Sequence, residues 1–409
     1  MVTEASAPAE SPARWRALAG LSITTMLGMS AWFSGTAVVR SLVPAWHLSP
    51  AGAAWLTIAV QLGFVAGSLL SAAVNLLDIV PARPVLVGSA LATALANAAF
   101  AFAPGPAVGV ALRLLTGVFL AGVYPTGLKL MATWFRRERG KALGIMVGAL
   151  TVGSAAPHLV NALGGLPWRT VVLWSSGLTA VAAQLALATA HEGPFPFPRA
   201  RFDPGEIARV LRDRGVRLAC LGYFGHMWEL YAMWAWIYLF AGEVLRRAGL
   251  ASPWPAASLV AFAAIAAGFA GCWAAGSAAD RLGRTRLAIW SLAISGACAL
   301  AIGLLLDHPV AAIAVALVWG IAVVADSAQF SAMVTELADP AYVGTALTLQ
   351  LGLGFTLTVV TIWLIPVMRD ALGWRWAFTL LVPGPALGIA AMQRLRSSPD
   401  AARLAGGRG

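Results

Sequence analysis

Charge is what this 409-residue chain has least of. Only 11% of its residues are Asp, Glu, Lys or Arg, against roughly 25% in ordinary soluble domains. With 59% hydrophobic residues and a mean hydropathy of +0.79, it lacks the polar side chains to cover a soluble globule of its size. The same balance excludes disorder, which needs low hydrophobicity. Cysteine is nearly absent. Cys220, Cys272 and Cys298 each sit in apolar stretches at no metal-ligand spacing, so they read as small hydrophobes, with no disulfide framework and no metal site. Motifs of chemistry are missing too. There is no H-E-x-x-H, no G-x-S-x-G and no G-x-x-x-x-G-K-[ST], so no catalytic residue, no cofactor and no direct use of ATP is expected.

What the chain does have is long apolar runs. A membrane helix needs about 20 mostly apolar residues. Twelve such spans are predicted, at 17–40, 53–74, 84–103, 107–131, 142–163, 169–190, 217–240, 256–279, 287–306, 309–333, 342–366 and 374–393. The first is too long for the apolar core of a cleavable signal. Forty-two glycines and 23 prolines suit membrane helices, which carry more of both than soluble ones. The longest polar stretch, 191–216, holds Pro194, Pro196, Pro198, Pro204 and five arginines. It is predicted to be a cytoplasmic linker with a short surface helix near 204–213. The expected organisation is therefore a six-helix bundle at 1–190, the linker at 191–216 and a second bundle at 217–409.

The net charge of +11 follows topology. With the N-terminus inside, the inner segments and adjoining span ends carry 20 Lys and Arg residues and the outer ones 6, with Arg113 and Lys129 left inside spans. Positive residues favour the cytoplasmic side. The sequence therefore predicts a multi-pass protein of the cell inner (plasma) membrane with both termini cytoplasmic and no nucleic-acid partner.

Displacing the chain against itself by 202–204 residues aligns Trp32 with Trp234, Asp78 with Asp280, Gly140-Lys-Ala-Leu143 with Gly344-Thr-Ala-Leu347, and Gly148 with Gly352. A shared offset predicts two related halves. An even number of spans per half makes the repeats parallel, about an axis along the membrane normal.

Gly276-Ser-Ala-Ala-Asp280-Arg281-Leu-Gly283-Arg284 after span 8 resembles the G-x-x-x-D-R-x-G-R signature of the major facilitator superfamily. Its copy after span 2, Asn75-Leu-Leu-Asp78-Ile-Val-Pro-Ala-Arg83, keeps the acid and one base. Arg113-Leu-Leu-Thr-Gly117 opening span 4 and Trp134-Phe-Arg-Arg-Glu-Arg-Gly140-Lys-Ala-Leu-Gly144 after it resemble further elements of that family. More loosely, the texture resembles the nitrate/nitrite and cyanate porter branches. The resemblance covers essentially the whole chain and implies an all-α membrane fold of twelve transmembrane helices in two pseudo-twofold six-helix bundles. It also implies that spans 1, 4, 7 and 10 line a central cavity. Asp78, Arg83, Asp280, Arg281 and Arg284 would then form a conformational latch on the inner surface. A carboxylate at a helix N-terminus is favoured by about 0.3–1 kcal/mol at exposed sites.

A charge within a bilayer is costly, so it faces a cavity or a partner. Arg113 and Lys129 on span 4, Glu229 on span 7 and Asp326 on span 10 fall on the cavity-lining set. On span 7, His226, Glu229 and Trp236 share a face with Gly222 and Met233. A His and a carboxylate one turn apart can hold or relay a proton, and Glu229 is the first choice for coupling. Gln329 neighbours Asp326 at i, i+3. Arg113 and Lys129 lie about 160° apart on an ideal helix, so they share one cavity only if Pro125 bends it. His158 belongs to a polar stripe on span 5 with Thr151, Ser154 and Asn161. Trp32 on span 1 is matched by the repeat to Trp234.

These residues point to a secondary active transporter moving a small polar or anionic organic solute by alternating access. It would work as a monomer in the lipid bilayer, with protons as a coupling ion. The alternative is a proton-driven drug or metabolite efflux antiporter. The bases against the acids equally allow a zwitterion or a cation.

Overall fold

The computed structural model describes residues 12–136, 138–163, 166–197 and 205–409. No strand occurs among them. Among the described residues, ten helices are long and apolar enough to cross a membrane. They are span 2 (Ala51–Ala73), span 3 (Ala82–Phe100), span 4 (Pro106–Trp134), span 5 (Arg139–Ala162) and span 6 (Trp168–Thr189) in the first half. In the second half they are span 8 (Pro253–Leu282), span 9 (Arg284–Leu305), span 10 (Pro309–Leu337), span 11 (Pro340–Leu372) and span 12 (Trp374–Arg396). Span 7 is one helix of 34 residues, Arg214–Arg247, less apolar because it carries His226, Glu229 and a run of Tyr and Trp. The part of the expected linker at 198–204, with Pro198, Arg199, Arg201 and Pro204, lies outside the described residues. So do Arg137 and Gly164. A short helix, Glu206–Arg212, precedes span 7.

Span 1 departs from the continuous helix expected over 17–40. It is helical over Ala13–Gly28, then breaks into the tight turn Met29–Ala31 and the short helices Ser34–Ala37 and Val39–Ala45. The break frees the carbonyls of Ala31 and Trp32 from the helical ladder, and the buried guanidinium of Arg113 supplies their donors. In the bilayer core each freed backbone group needs such a partner.

Spans 4 and 10 break at matching places. Span 4 runs Pro106–Leu120 and resumes at Tyr124–Trp134; span 10 runs Pro309–Ala325 and resumes at Ser327–Leu337. The first break is explained by Pro125, which has no N–H for the carbonyl of Ala121. The second has no proline and centres on Asp326. Breaks one repeat length apart are what two parallel halves of common design require.

The halves meet along two helix pairs, span 5 against span 8 and span 2 against span 11. Small residues let the first pair approach. A Cβ on Gly144 would strike the carbonyl of Cys272, and one on Gly276 would approach the carbonyl of Gly140. Close backbone packing of this kind holds membrane helices together without a hydrophobic drive.

Candidate functional site: the seam between the halves

One end of the bundle carries the turns after spans 2, 4, 8 and 10 together with residues near both chain ends; it is called the terminal face below. Arg14 pairs there with Glu138 at 3.1 Å, and Arg403 donates to the carbonyl of Leu337 at 2.6 Å.

Midway along the seam lies a layer of aromatic rings. Trp32, Phe33 and Phe64 come from the first half; Tyr231, Trp234 and Phe355 come from the second. Ring centroids are 4.3 Å apart for Phe64 and Phe355, 4.7 Å for Tyr231 and Phe355, and 5.5 Å for Trp32 and Tyr231. Each such pair contributes about 0.5–1.5 kcal/mol beyond its burial. The rings fill the seam where the family resemblance implied a cavity. The indole N–H groups of Trp32 and Trp234 are buried with no partner, as are both polar atoms of Gln61 and of Gln350. Native interiors leave few such atoms.

On the terminal side of the rings, His226 Nδ1 and Asp326 Oδ1 are 2.9 Å apart, both shielded from solvent. Tyr223 and Phe330 flank the imidazole at 5.7 and 5.6 Å. The hydroxyl of Tyr124, from the first half, reaches Ser327 beside Asp326. This pair therefore stands at the helix break of span 10, next to the seam. Glu229 is held elsewhere. It accepts from Ser295 Oγ at 2.8 Å and Trp319 Nε1 at 2.6 Å, inside the second half between spans 7, 9 and 10. The structure thus pairs His226 with Asp326, while Glu229, one turn along the same helix, takes its hydrogen bonds from spans 9 and 10 instead.

The two span-4 cations are fully engaged. Arg113 donates to the carbonyls of Ala31, Trp32 and Leu56, to Ser34 Oγ at 3.1 Å and to Asn97 Oδ1 at 2.9 Å. It braces the break in span 1. Lys129 contacts Asp78 at 2.5 Å and the carbonyl of Leu77 at 2.6 Å, so it joins the terminal face. Gln329 accepts from Arg284 at 3.0 Å and joins it too.

The terminal face is closed by two contacts. In one, Asp78 accepts from the backbone N–H of Gly344 at 3.0 Å and of Thr345 at 2.7 Å, and from Thr345 Oγ1 at 2.8 Å. A carboxylate from the first half thereby caps span 11 of the second. In the other, Asp280 and Arg284 lie against Gly140 at the start of span 5. Arg284 pairs with Asp280 at 3.2 Å and with Glu336 at 2.6 Å. Glu336 also accepts from the backbone N–H of Ala405, and Arg408 donates to the carbonyl of Asp280. Arg281 is exposed, and Arg83 turns away to the carbonyl of Leu187.

The opposite face is closed as well. Asn161 donates to Ser258 at 2.8 Å across spans 5 and 8, and Arg40 lies 3.7 Å above the ring of Trp254. His158 is buried with neither nitrogen partnered, its ring 5.6 Å from that of Tyr238. Trp236 donates to the carbonyl of Ile362 at 3.0 Å and lines a small cavity with Thr36, Thr57 and Tyr238.

Sequence reasoning passed over Phe64, Phe355 and Glu336, and took Tyr231 as one of four crowded span-7 aromatics, with Trp228, Trp234 and Trp236, of which one or two would wall the substrate site. One signal was available. Tyr223, Tyr231, Trp234 and Tyr238 follow i, i+8, i+11, i+15, an arc of one helix face, turned from the face of His226 and Glu229.

Residues 20–349 match the family model of the Major Facilitator Superfamily, and the chain belongs to that family, whose all-α membrane fold accords with the ten described helices long and apolar enough to span a bilayer. Among curated proteins it is 29% identical over 192 residues to the niacin transporter NiaP of Acinetobacter baylyi, covering 44% of this chain and 42% of that one. It is 26% identical to the MFS-type transporter pytF of Aspergillus terreus, over 43% of this chain and 58% of that one. It is 32% identical to the puromycin resistance protein pur8 of Streptomyces alboniger, over 46% and 37%. The match thus spans about half the length of these relatives or less. Among solved structures, a bacterial homologue of the human lysosomal transporter Spinster aligns over 95% of this chain and 99% of its own, with a TM-score of 0.67 at 15% identity. That likeness shows the fold.

Proposed function

We propose that this protein is a secondary active transporter for a small organic solute bearing a planar ring, bound between the halves where the aromatic layer now closes the seam. One observation carries the reading: six rings from both halves meet on the axis, with unpartnered indole N–H groups among them. Rings offer a flat apolar wall, and fixed donors orient what lies against it. A purely anionic cargo is less well served, because Arg113 and Lys129 spend their donors on the protein. Niacin and puromycin, in the names of two relatives, both contain aromatic rings. In this reading the terminal face is cytoplasmic, which the Lys and Arg bias supports, and its two contacts act as the inner gate.

Coupling to protons belongs to Asp326 and His226 in this reading, since the pair borders the seam at a helix break and Glu229 does not. Uptake into proteoliposomes, with and without an imposed pH gradient, tests both parts. Ring-bearing solutes should be accumulated, and Tyr231→Ala should cut their uptake by about two- to tenfold, the scale of one lost aromatic pair. Asp326→Asn should abolish pH-driven accumulation and spare exchange, whereas Glu229→Gln should retain it. Uptake confined to ringless anions, or coupling lost in Glu229→Gln alone, contradicts the proposal.

A further inference from the structure

Among the described cavities, one of about 510 Å³ lies on the outer flank of the second half, away from the seam, between spans 7, 11 and 12. Its walls are apolar: Leu221, Phe224, Trp228, Leu357 and Leu387. The one indole donor among them is already used, since Trp228 Nε1 donates to the carbonyl of Leu380 at 3.0 Å. Two glycines set the depth. A Cβ on Gly225 would strike the carbonyl of Gly384, and one on Gly384 would strike the carbonyl of Gly225 and the Cβ and Cδ1 of Trp228. Spans 7 and 12 therefore touch at the deep end of the groove.

The groove has a direction. It follows span 7 from Leu218 to Trp228 and span 12 from Pro383 to Arg394. At 1.5 Å per residue that is about 15 Å, half of a hydrocarbon core of about 30 Å. It thus runs from the terminal face to mid-membrane, the depth of one leaflet. Arg394, its single charged lining residue, stands at the terminal end. Arg394 is exposed and forms no ion pair among the described residues; the same holds for Arg217, one turn before Leu221.

We infer that this groove is a binding site for one anionic phospholipid of the leaflet at the terminal face. An acyl chain would lie along the apolar walls and the phosphate would sit on Arg394, with Arg217 adding to the attraction. Juxtamembrane arginines attract anionic headgroups in this way. The inference needs only that the helices cross a bilayer, and it is independent of the substrate assigned above.

The test is native mass spectrometry of the full chain released from nanodiscs of phosphatidylglycerol and phosphatidylcholine in equal amounts. The wild type should retain one phosphatidylglycerol, preferred about tenfold or more over phosphatidylcholine. Arg394→Gln, at an exposed position, should bring the preference below about twofold. Ala390→Trp, which fills the groove, should lose the retained lipid of either kind; its melting temperature checks that it folds. Equal retention of both lipids by the wild type overturns the inference. So does a preference that survives Arg394→Gln, or a folded Ala390→Trp that still holds its lipid.

Discussion

The turn after span 2 and the turn after span 8 are copies of one device, and the poorer copy in sequence makes the closer contact in space. The span-8 copy carries the full Gly276 to Arg284 signature, yet its Asp280 side chain is 31% exposed and is held by Arg284 of its own half. The span-2 copy keeps little more than Asp78. That carboxylate is fully buried, accepts two backbone amides and a hydroxyl from the opposite half, and has Lys129 as counter-ion. Capping a helix needs one carboxylate and the free amides of a helix start. The arginines of the signature are not required for it. In the span-8 copy Arg284 and Asp280 both lie against Gly140, and Glu336 and residues near the end of the chain share the load. The two contacts at the terminal face are therefore unequal, and we assign the larger share of closure to Asp78.

Substitutions can break this comparison in order. Asp78→Ala should have the largest effect, because it strands a buried Lys129 and two amides; losing one member of a buried pair costs about 3–5 kcal/mol. Transport rate at matched protein level should fall by more than about tenfold. Lys129→Met in the same chain should recover part of that loss, which a cycle of single and double variants would register as coupling. Glu336→Gln should come next, since it loosens Arg284 and the tail together, with a several-fold loss of rate. Asp280→Asn should be milder, about twofold, as partly exposed pairs contribute about 0–1 kcal/mol. Arg281→Ala should change nothing measurable. If Asp280→Asn proves as damaging as Asp78→Ala, the assignment of unequal shares fails.

The sequence made the frame legible because apolar run length, the sign of loop charge and a repeat offset are all one-dimensional signals. Spans 2 to 6 and 8 to 12 fall within a few residues of their expected places for that reason. The break in span 1 was not legible. The carbonyls it frees are held by Arg113, some eighty residues away, whose donors replace the ladder. Periodicity puts His226 and Glu229 on one helix face, but one face touches several neighbours. Periodicity gives an angle and not a partner, so Asp326 for one and Ser295 with Trp319 for the other had to come from the structure. Backbone donors are silent in sequence as well, and hence Thr345 and Gly344 were visible as a repeat match and not as the acceptors' partners. The helix break at Asp326, lacking any proline, left no mark except its distance of one repeat from the break before Pro125.

Closure of the terminal face by Asp78 can be measured directly. The native cysteines Cys220, Cys272 and Cys298 are buried, so nitroxide labels can be directed to Ile79→Cys beside the span-2 turn and Pro340→Cys at the start of span 11, both exposed. Electron–electron double resonance then reads the distance across the gate in nanodiscs. The account predicts a short distance as the main population in the parent chain, a shift to a longer, open population on Asp78→Asn, and a nearly unchanged distribution on Asp280→Asn. An unchanged distance in Asp78→Asn, or equal opening in both variants, would contradict it.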